Sequence, residues 1–307
     1  MKKRVLAAMM ACAMAAGLLS GCSSEPKNPG DSNEPVTTAA AGQTEAGDAT
    51  AAAQEESGPK IFHDYMTTDV DTINPHIYTM SVSGDVIART SLQLYRQYPN
   101  AEGTSFEYLP ELAEKEPEKA DEEGKVWRIK IRENAKWENG DAIDVDDVIY
   151  SFKMCLDPIM VNSRASQLAS DYITITKASD YSLQGNAGTV AWEDVGIKKA
   201  DDYTLELQLD APVTAEDIKS HFNYVWTCLV HEPTYEACMS EDRSTNTYGS
   251  TREKYMSCGA FILDQWIAGS QFDMKKNPDF VLGDKIKLDG YNYKIVGDRN
   301  TALELYL

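Results

Sequence analysis

The chain has 307 residues and a formal net charge of −20 at pH 7, with 49 acidic side chains against 29 basic ones. This excess of negative charge argues against binding to nucleic acid and against electrostatic adhesion to anionic lipid. Four cysteines follow Cys22 and contain no C-x-x-C pair, which is not the pattern of a disulfide scaffold. Two alternatives remain open: one disulfide bridge between two of Cys228, Cys238 and Cys258, or buried free thiols.

The first 21 residues have the pattern of a signal peptide. Basic residues at positions 2 to 4 precede an apolar run that is short for a membrane span. The run ends in Leu19-Ser20-Gly21-Cys22, which resembles the lipobox of bacterial lipoproteins. Cleavage after Gly21 would make Cys22 the lipidated first residue, anchored at the outer face of the plasma membrane.

Residues 22–60 read as a disordered tether. Beyond Cys22 they contain no aromatic residue and only one branched aliphatic residue, Val36. Such a segment buries too little apolar surface to offset the entropy of ordering the chain. We therefore expect the folded part to begin near residue 61.

From residue 61 onward, strand and helix patterns alternate, which indicates an α/β fold. A helix is predicted after Ser83 as its cap, with apolar positions at Val86, Ile87, Leu92 and Leu94. Period-two alternation predicts strands in "KVWRIKIR", "YTLELQL" and "GYNYKIV", and two strands joined around Gly269-Ser270. A capped helix start is predicted at residues 212–217.

The stretch "AKWENGDAIDVDDVIYSFKMCLDP", residues 135–158, contains five carboxylates within ten positions. A calcium loop counted from Asp141 fails, because Gly is absent at its sixth position and Glu at its twelfth. A catalytic carboxylate pair finds no partner nearby. A helix start accounts for the acids best, with Asp144 as the N-cap, Asp147 completing a capping box, and an apolar stripe following.

This stretch resembles the signature of extracellular solute-binding proteins of family 5, the peptide-binding lipoproteins of ABC importers. Asn139-Gly140-Asp141 departs from the usual Asp-Gly followed by a small residue. "DTINPHIYT", "YLPELAEKEPEKADEEGKVWRIKIRENAKW", "GIKKADDYTLELQLDAPV" and "CGAFILDQWIAGSQFDMKKNPDF" resemble further family segments in the family's order. The resemblance covers residues 61–307.

The resemblance implies a type II periplasmic-binding-protein fold, with two α/β lobes joined by a hinge and a subdomain inserted in the first lobe. We expect lobe I to comprise residues 61–80 and 196–297, and the inserted subdomain to comprise residues 81–195. A helix starting near Asn300 stops after two turns, so residues 298–307 read as the start of a crossover. We expect the second lobe to be missing from this chain, which then reads as a fragment.

In function, the resemblance implies an extracytoplasmic, monomeric binding protein that captures a peptide and delivers it to ABC permease subunits and their ATPases. It implies neither catalysis nor a cofactor or metal. One alternative is the same fold holding a nickel chelate, a sugar or haem. Another is an extracellular hydrolase with its site beyond residue 307, since no G-x-S-x-G elbow, Walker loop or zinc-ligand spacing occurs before it.

Candidate ligand-binding residues follow from the resemblance position by position. The loop Tyr78, Thr79, Met80 and Ser81 matches a segment whose backbone pairs with an extended peptide, although an ordinary surface loop fits equally. Arg164 stands where a relative has an aromatic residue near the ligand and could pair with a carboxylate or remain solvated. Cys258 and Gly259 stand at a position where the relatives' side chains or backbone face the ligand cleft. Trp137 and Trp266 are expected in the core.

Overall fold

The computed structural model describes residues 58–304. The signal peptide, Cys22 and most of the predicted tether lie outside the described residues, as do residues 305–307. Within the described part, the strands form two four-stranded sheets and one hairpin. No helix of this part combines the length and apolar character needed to cross a membrane.

The first sheet, sheet A, joins the beginning and the end of the described chain. Its strands are β1 (Ile61–Met66), β8 (Phe261–Ile267), β9 (Gln271–Lys276) and β10 (Gly290–Ile295), in the order β1-β10-β9-β8. β1 runs parallel to β10, whereas the other neighbours are antiparallel. The strand pair predicted around Gly269-Ser270 is therefore confirmed as β8 and β9.

The second sheet, sheet B, contains β4 (Glu118–Lys119), β5 (Val126–Lys130), β6 (Ile197–Asp201) and β7 (Thr204–Gln208), in the antiparallel order β4-β5-β7-β6. The predicted alternation is confirmed: Trp127 pairs with Leu207 and Ile129 with Leu205, and all four side chains are buried. The separate hairpin is β2 (Tyr95–Pro99) with β3 (Phe106–Pro110).

The helices are short. They are α1 (Ser81–Thr90), α2 (Val145–Cys155), α3 (Ala165–Ser170), α4 (Ala178–Leu183), α5 (Ala215–His221), α6 (Glu232–Ala237) and α7 (Arg299–Glu304). The acidic stretch does begin a helix: Asp144 caps α2 and forms a capping box with Asp147. The start predicted at residues 212–217 is confirmed too, with Thr214 and Asp217 forming the box of α5.

Two local predictions need correction. The residue preceding α1 is Met80, and Ser83 lies buried inside the helix, where its hydroxyl contacts Asp71 instead of capping. Leu92 and Leu94 follow the end of α1 instead of belonging to it. In β10 the alternation is also incomplete, because Asn292 is buried between Tyr291 and Tyr293. This strand is covered on both faces.

The described residues contain two hydrophobic cores. One surrounds sheet B and includes α2 and α5; the other surrounds sheet A and includes Val86 and Ile87 of α1. The expected boundary between residues 195 and 196 separates β6 and β7 from their partner β5. Likewise, the boundary between residues 80 and 81 assigns α1 to the subdomain, whereas its buried side chains pack with sheet A.

The cysteines of the described part are free thiols, which decides between the two open alternatives. Cys155, Cys228 and Cys258 are buried, and Cys238 is partly exposed. Burial raises the pKa of all three buried thiols.

Candidate functional site

The 78–81 segment, Tyr78 to Ser81, leads into α1 and lies partly at the surface. Thr79 and Ser81 are exposed, whereas Tyr78 is buried. The Tyr78 amide donates to the carbonyl of Asn74 at 3.2 Å, and the Asn74 side chain accepts from the His76 amide at 3.0 Å. These bonds form a turn that fixes the buried start of the segment.

A single carboxylate holds the segment against α1. Asp71 accepts hydrogen bonds from the amide and the hydroxyl of Thr79, at 2.7 and 2.6 Å. It also accepts from the Ser83 hydroxyl at 2.6 Å and from the Thr72 amide at 3.0 Å. We call this arrangement the Asp71 clasp. It connects the loop before the segment, the segment and the first turn of α1.

Asp71 remains ionised over the physiological pH range. Partial burial raises the pKa of its carboxyl, but the hydrogen bonds from Ser83, Thr79 and Thr72 outweigh burial and lower the pKa to about 2. Hydrogen bonds to a charged acceptor are stronger than bonds between neutral groups. The clasp is therefore a fixed feature of the segment at neutral and mildly acidic pH.

The clasp leaves part of the segment's backbone available. Met80 has extended backbone angles, φ −92° and ψ 138°. Its carbonyl accepts from the Ser83 amide at 3.1 Å. In residues 58–304, neither the Thr79 carbonyl nor the Met80 amide has a hydrogen-bond partner. The two groups belong to one trans peptide unit and point in opposite directions, so another extended chain can pair with one of them, from the side that this group faces.

The structure brings Arg164 to the root of the 78–81 segment. Its Nη2 donates to the Tyr78 carbonyl at 3.0 Å, and its guanidinium carbon lies 4.4 Å from the centre of the Tyr78 ring. The centre of the Trp226 ring lies 6.0 Å from the same carbon. The ring of Tyr78 rests against Gly84 of α1, where an added Cβ would come within 3.5 Å of it.

Cys258 and Gly259 lie elsewhere, packed under the end of α1. Both amides donate to the Thr90 carbonyl at 2.9 Å, and the Cys258 sulfur accepts from the Leu92 amide at 3.4 Å. Cys258 is 1% exposed, and a Cβ on Gly259 would meet the Ser91 amide nitrogen at 2.6 Å. Their packing explains these residue types without a ligand, and it does not present them at a surface of the described part.

Trp137 and Trp266, both expected in the core, differ in how far they are buried. Trp137 is buried, as expected, and its indole nitrogen donates to Asp147 at 3.2 Å. Burial raises the pKa of Asp147 to about 6, despite hydrogen bonds from the Asp144 amide and Trp137 that lower it. Trp266 is partly buried and lies against Phe272, with ring centres 5.0 Å apart.

Sequence reasoning missed Asp71 and Trp226. Asp71 acts through contacts eight and twelve residues along the chain, and this spacing has no helical or strand period that would mark it. Trp226 lies in a 3-10 turn, Val225–Thr227, that no apolar pattern predicts. The residues that the structure describes contain no group of three His, Cys, Asp or Glu side chains arranged to hold a metal ion.

Comparisons with known proteins point to one family of proteins. The profile described as Bacterial extracellular solute-binding proteins, family 5 Middle, matches residues 107–306. The chain is 26% identical to the oligopeptide-binding protein OppA of Bacillus subtilis (strain 168), over 82% of this chain and 42% of that relative. It is 29% identical to the dipeptide-binding protein DppE of the same organism, over 81% and 42% respectively.

The fold comparison agrees. The structure of Listeria monocytogenes OppA bound to peptide matches with a TM-score of 0.69 and 26% identity, covering 81% of this chain and 45% of that one. The expected α/β binding-protein fold is therefore confirmed. The chain spans less than half the length of the relatives it matches.

Proposed function

The chain belongs to the bacterial extracellular solute-binding proteins of family 5, and from this membership we propose that it forms the peptide-contacting first lobe of an ABC importer's binding protein. The protein captures peptides outside the cytoplasm and delivers them to the permease subunits, with the ATPases behind them. No covalent chemistry is part of this function.

One observation carries the proposal. The 78–81 segment is extended at Met80, exposes Thr79 and Ser81, and has an unpaired carbonyl and amide within the described part of the chain. Pairing through the main chain gives affinity without reading side chains, which suits a protein that accepts many sequences. The Asp71 clasp supports this role because it orders the segment before a ligand arrives.

Delivery requires a change of shape that the permease recognises. We propose that a peptide held on the 78–81 segment stabilises a closed arrangement of two lobes joined by a hinge. The ligand shifts the population toward the closed form because it contacts both lobes only there. The protein acts as a monomer, tethered at the outer face of the plasma membrane through lipid on Cys22.

We also propose a division into lobe and subdomain with modified boundaries. α1 packs with sheet A, and β6 and β7 pair with β5. The inserted subdomain then extends from about residue 91 to about residue 222, where α5 has ended, because α5 packs in the core around sheet B. Lobe I comprises the residues on either side.

The test compares two substitutions of Met80 in the complete native polypeptide. Met80→Pro removes the unpaired amide hydrogen while a φ of −92° stays close to the range of proline. Met80→Ala removes the side chain but keeps the amide. Affinity for a mixed-sequence peptide pool is measured by titration calorimetry, and unfolding in urea is recorded for each variant.

We expect Met80→Pro to weaken binding roughly tenfold, the value of about one lost hydrogen bond, and Met80→Ala to bind like the unchanged protein. Equal peptide affinity of the two variants would contradict main-chain pairing at the Met80 amide. Absence of peptide binding by the unchanged protein would overturn the peptide function itself.

A further inference from the structure

Arg164 is an arginine without a carboxylate partner in a chain rich in carboxylates. Most arginines of residues 58–304 lie within 4.0 Å of an acidic side chain, namely Arg89, Arg96, Arg128, Arg243 and Arg252. Among the described residues, Arg164 has no such neighbour, and neither do Arg132 and Arg299. The whole chain contains 49 acidic side chains against 29 basic ones.

The guanidinium of Arg164 is also poorly satisfied by the protein. Of its five N–H donors, only one on Nη2 meets an acceptor in the described part, the neutral carbonyl of Tyr78. Its Nε is buried without a partner. A partly buried cation with one neutral acceptor retains most of its attraction for an anion, since low local polarity strengthens that interaction.

The surroundings hold this cation in place without neutralising it. The Tyr78 ring lies under the guanidinium at 4.4 Å, and Trp226 lies 6.0 Å away. Trp226 in turn stacks on Tyr224, with ring centres 4.1 Å apart and an interplanar angle of 8°. Aromatic faces attract a cation and restrict its rotamers, but they leave its hydrogen-bonding edge for a further partner.

The position relative to the 78–81 segment identifies that partner. Arg164 binds the carbonyl of Tyr78, and the next unpaired backbone groups along the segment are the Thr79 carbonyl and the Met80 amide. A peptide paired with either group engages the segment one or two residues from the carbonyl that holds the guanidinium. A carboxylate on that peptide matches the planar fork of an arginine in charge and geometry.

We propose that Arg164 recognises a carboxylate of the bound peptide, supplied either by its C-terminus or by an Asp or Glu side chain. The proposal rests on the proposed peptide function and adds a preference to it. Main-chain pairing accepts many sequences, whereas the unpaired arginine selects peptides that carry a negative charge near the segment.

The experiment presents mixed-sequence peptides of three to eight residues to the complete native polypeptide in three pools. The first has free C-termini and no Asp or Glu, the second has amidated C-termini and no Asp or Glu, and the third has amidated C-termini with one Glu. Retained peptides are identified by mass spectrometry and their dissociation constants are measured. The same pools are presented to Arg164→Gln and Arg164→Lys.

The control variant is Arg128→Gln. Arg128 lies on β5, its side chain is 53% exposed, and it pairs with Glu206 at 2.9 Å. The substitution removes one positive charge, as Arg164→Gln does, but on a strand of sheet B instead of beside Tyr78. It therefore separates a local carboxylate contact from a general effect of net charge.

We expect the unchanged protein to prefer a carboxylate-bearing pool over the neutral amidated pool by roughly 10- to 100-fold, the range for a hydrogen bond to a charged group. Arg164→Gln abolishes that preference, Arg164→Lys keeps a reduced part of it, and Arg128→Gln leaves it unchanged. The first and third pools show which carboxylate is recognised.

Binding of all three pools with equal affinity would overturn the carboxylate proposal and leave the peptide function standing. A preference that survives in Arg164→Gln would overturn it as well, even if that variant is less stable. Retention of no peptide by the unchanged protein would overturn the peptide function, and the carboxylate preference with it.

Discussion

Removal of the Asp71 clasp gives the sharpest structural prediction. Asp71→Ala deletes four hydrogen bonds, from the Thr79 amide, the Thr79 hydroxyl, the Ser83 hydroxyl and the Thr72 amide. Water replaces the partners of the exposed Thr79, so those losses are small. Ser83 is fully buried, and its hydroxyl loses its acceptor.

The loss of unfolding free energy in Asp71→Ala comes mainly from Ser83. A buried polar group left without a partner costs about 1–3 kcal/mol. We therefore expect the free energy of unfolding to fall by that amount, and hydrogen exchange of amides in residues 78–83 to accelerate by at least tenfold. The matched control is Asp284→Ala, which removes an exposed carboxylate that makes no hydrogen bond or ion pair within residues 58–304.

The assay is hydrogen exchange read by mass spectrometry, with urea unfolding in parallel. The pKa of Asp71 is lowered to about 2 from 3.8, so the clasp contributes fully above pH 3.8 and is lost only as pH falls toward 2. Protection of residues 78–83, corrected for intrinsic exchange, should not change between pH 5 and 8. Unaltered exchange in Asp71→Ala would refute the clasp.

Three further predictions concern burial and packing elsewhere in the described residues. Gly259→Ala should destabilise the protein by about 1–3 kcal/mol, because its Cβ meets backbone, whereas Gly283→Ala, with nothing within 4 Å, should be near neutral in urea unfolding. The pKa of Asp147 is raised to about 6 from 3.8, so stability should fall as pH rises between these values, and Asp147→Asn should lose that slope; an unchanged slope contradicts the assignment. Of the thiols in the described part, Cys238 alone should react promptly with Ellman's reagent under native conditions; rapid modification of the other three, Cys155, Cys228 and Cys258, would contradict their burial.

Local signals in the sequence were sufficient for several elements. The capping boxes of α2 and α5 depend on residues three positions apart, and the alternation in β5 and β7 depends on neighbours two positions apart. These patterns work because the groups that they satisfy lie within the same turn or strand. The family signature likewise lies in one continuous stretch.

The parts that could not be predicted depend on distant residues. Sheet B pairs residues 126–130 with residues 204–208, so the limits of the subdomain depend on contacts between segments far apart in the chain. Ser83 fits the pattern of a helix cap, but its hydroxyl donates to the Asp71 carboxylate twelve residues earlier and the helix starts before it. Here a tertiary contact overrode the local preference.

The candidate site shows the same division. The resemblance named the 78–81 segment, but the clasp and the unpaired backbone groups appear only in three dimensions. Arg164 was a candidate by position, whereas its contact with Tyr78 joins residues 86 positions apart. Cys258 and Gly259 matched a family position, yet the end of α1 covers them.

We propose above that this protein carries peptides. The most direct measurement isolates the complete native polypeptide from its source cell, denatures it, and identifies the released ligand by mass spectrometry. We expect a mixture of short peptides with varied sequences, most of them bearing a carboxylate. A nickel chelate, a sugar or haem in place of peptides would contradict it.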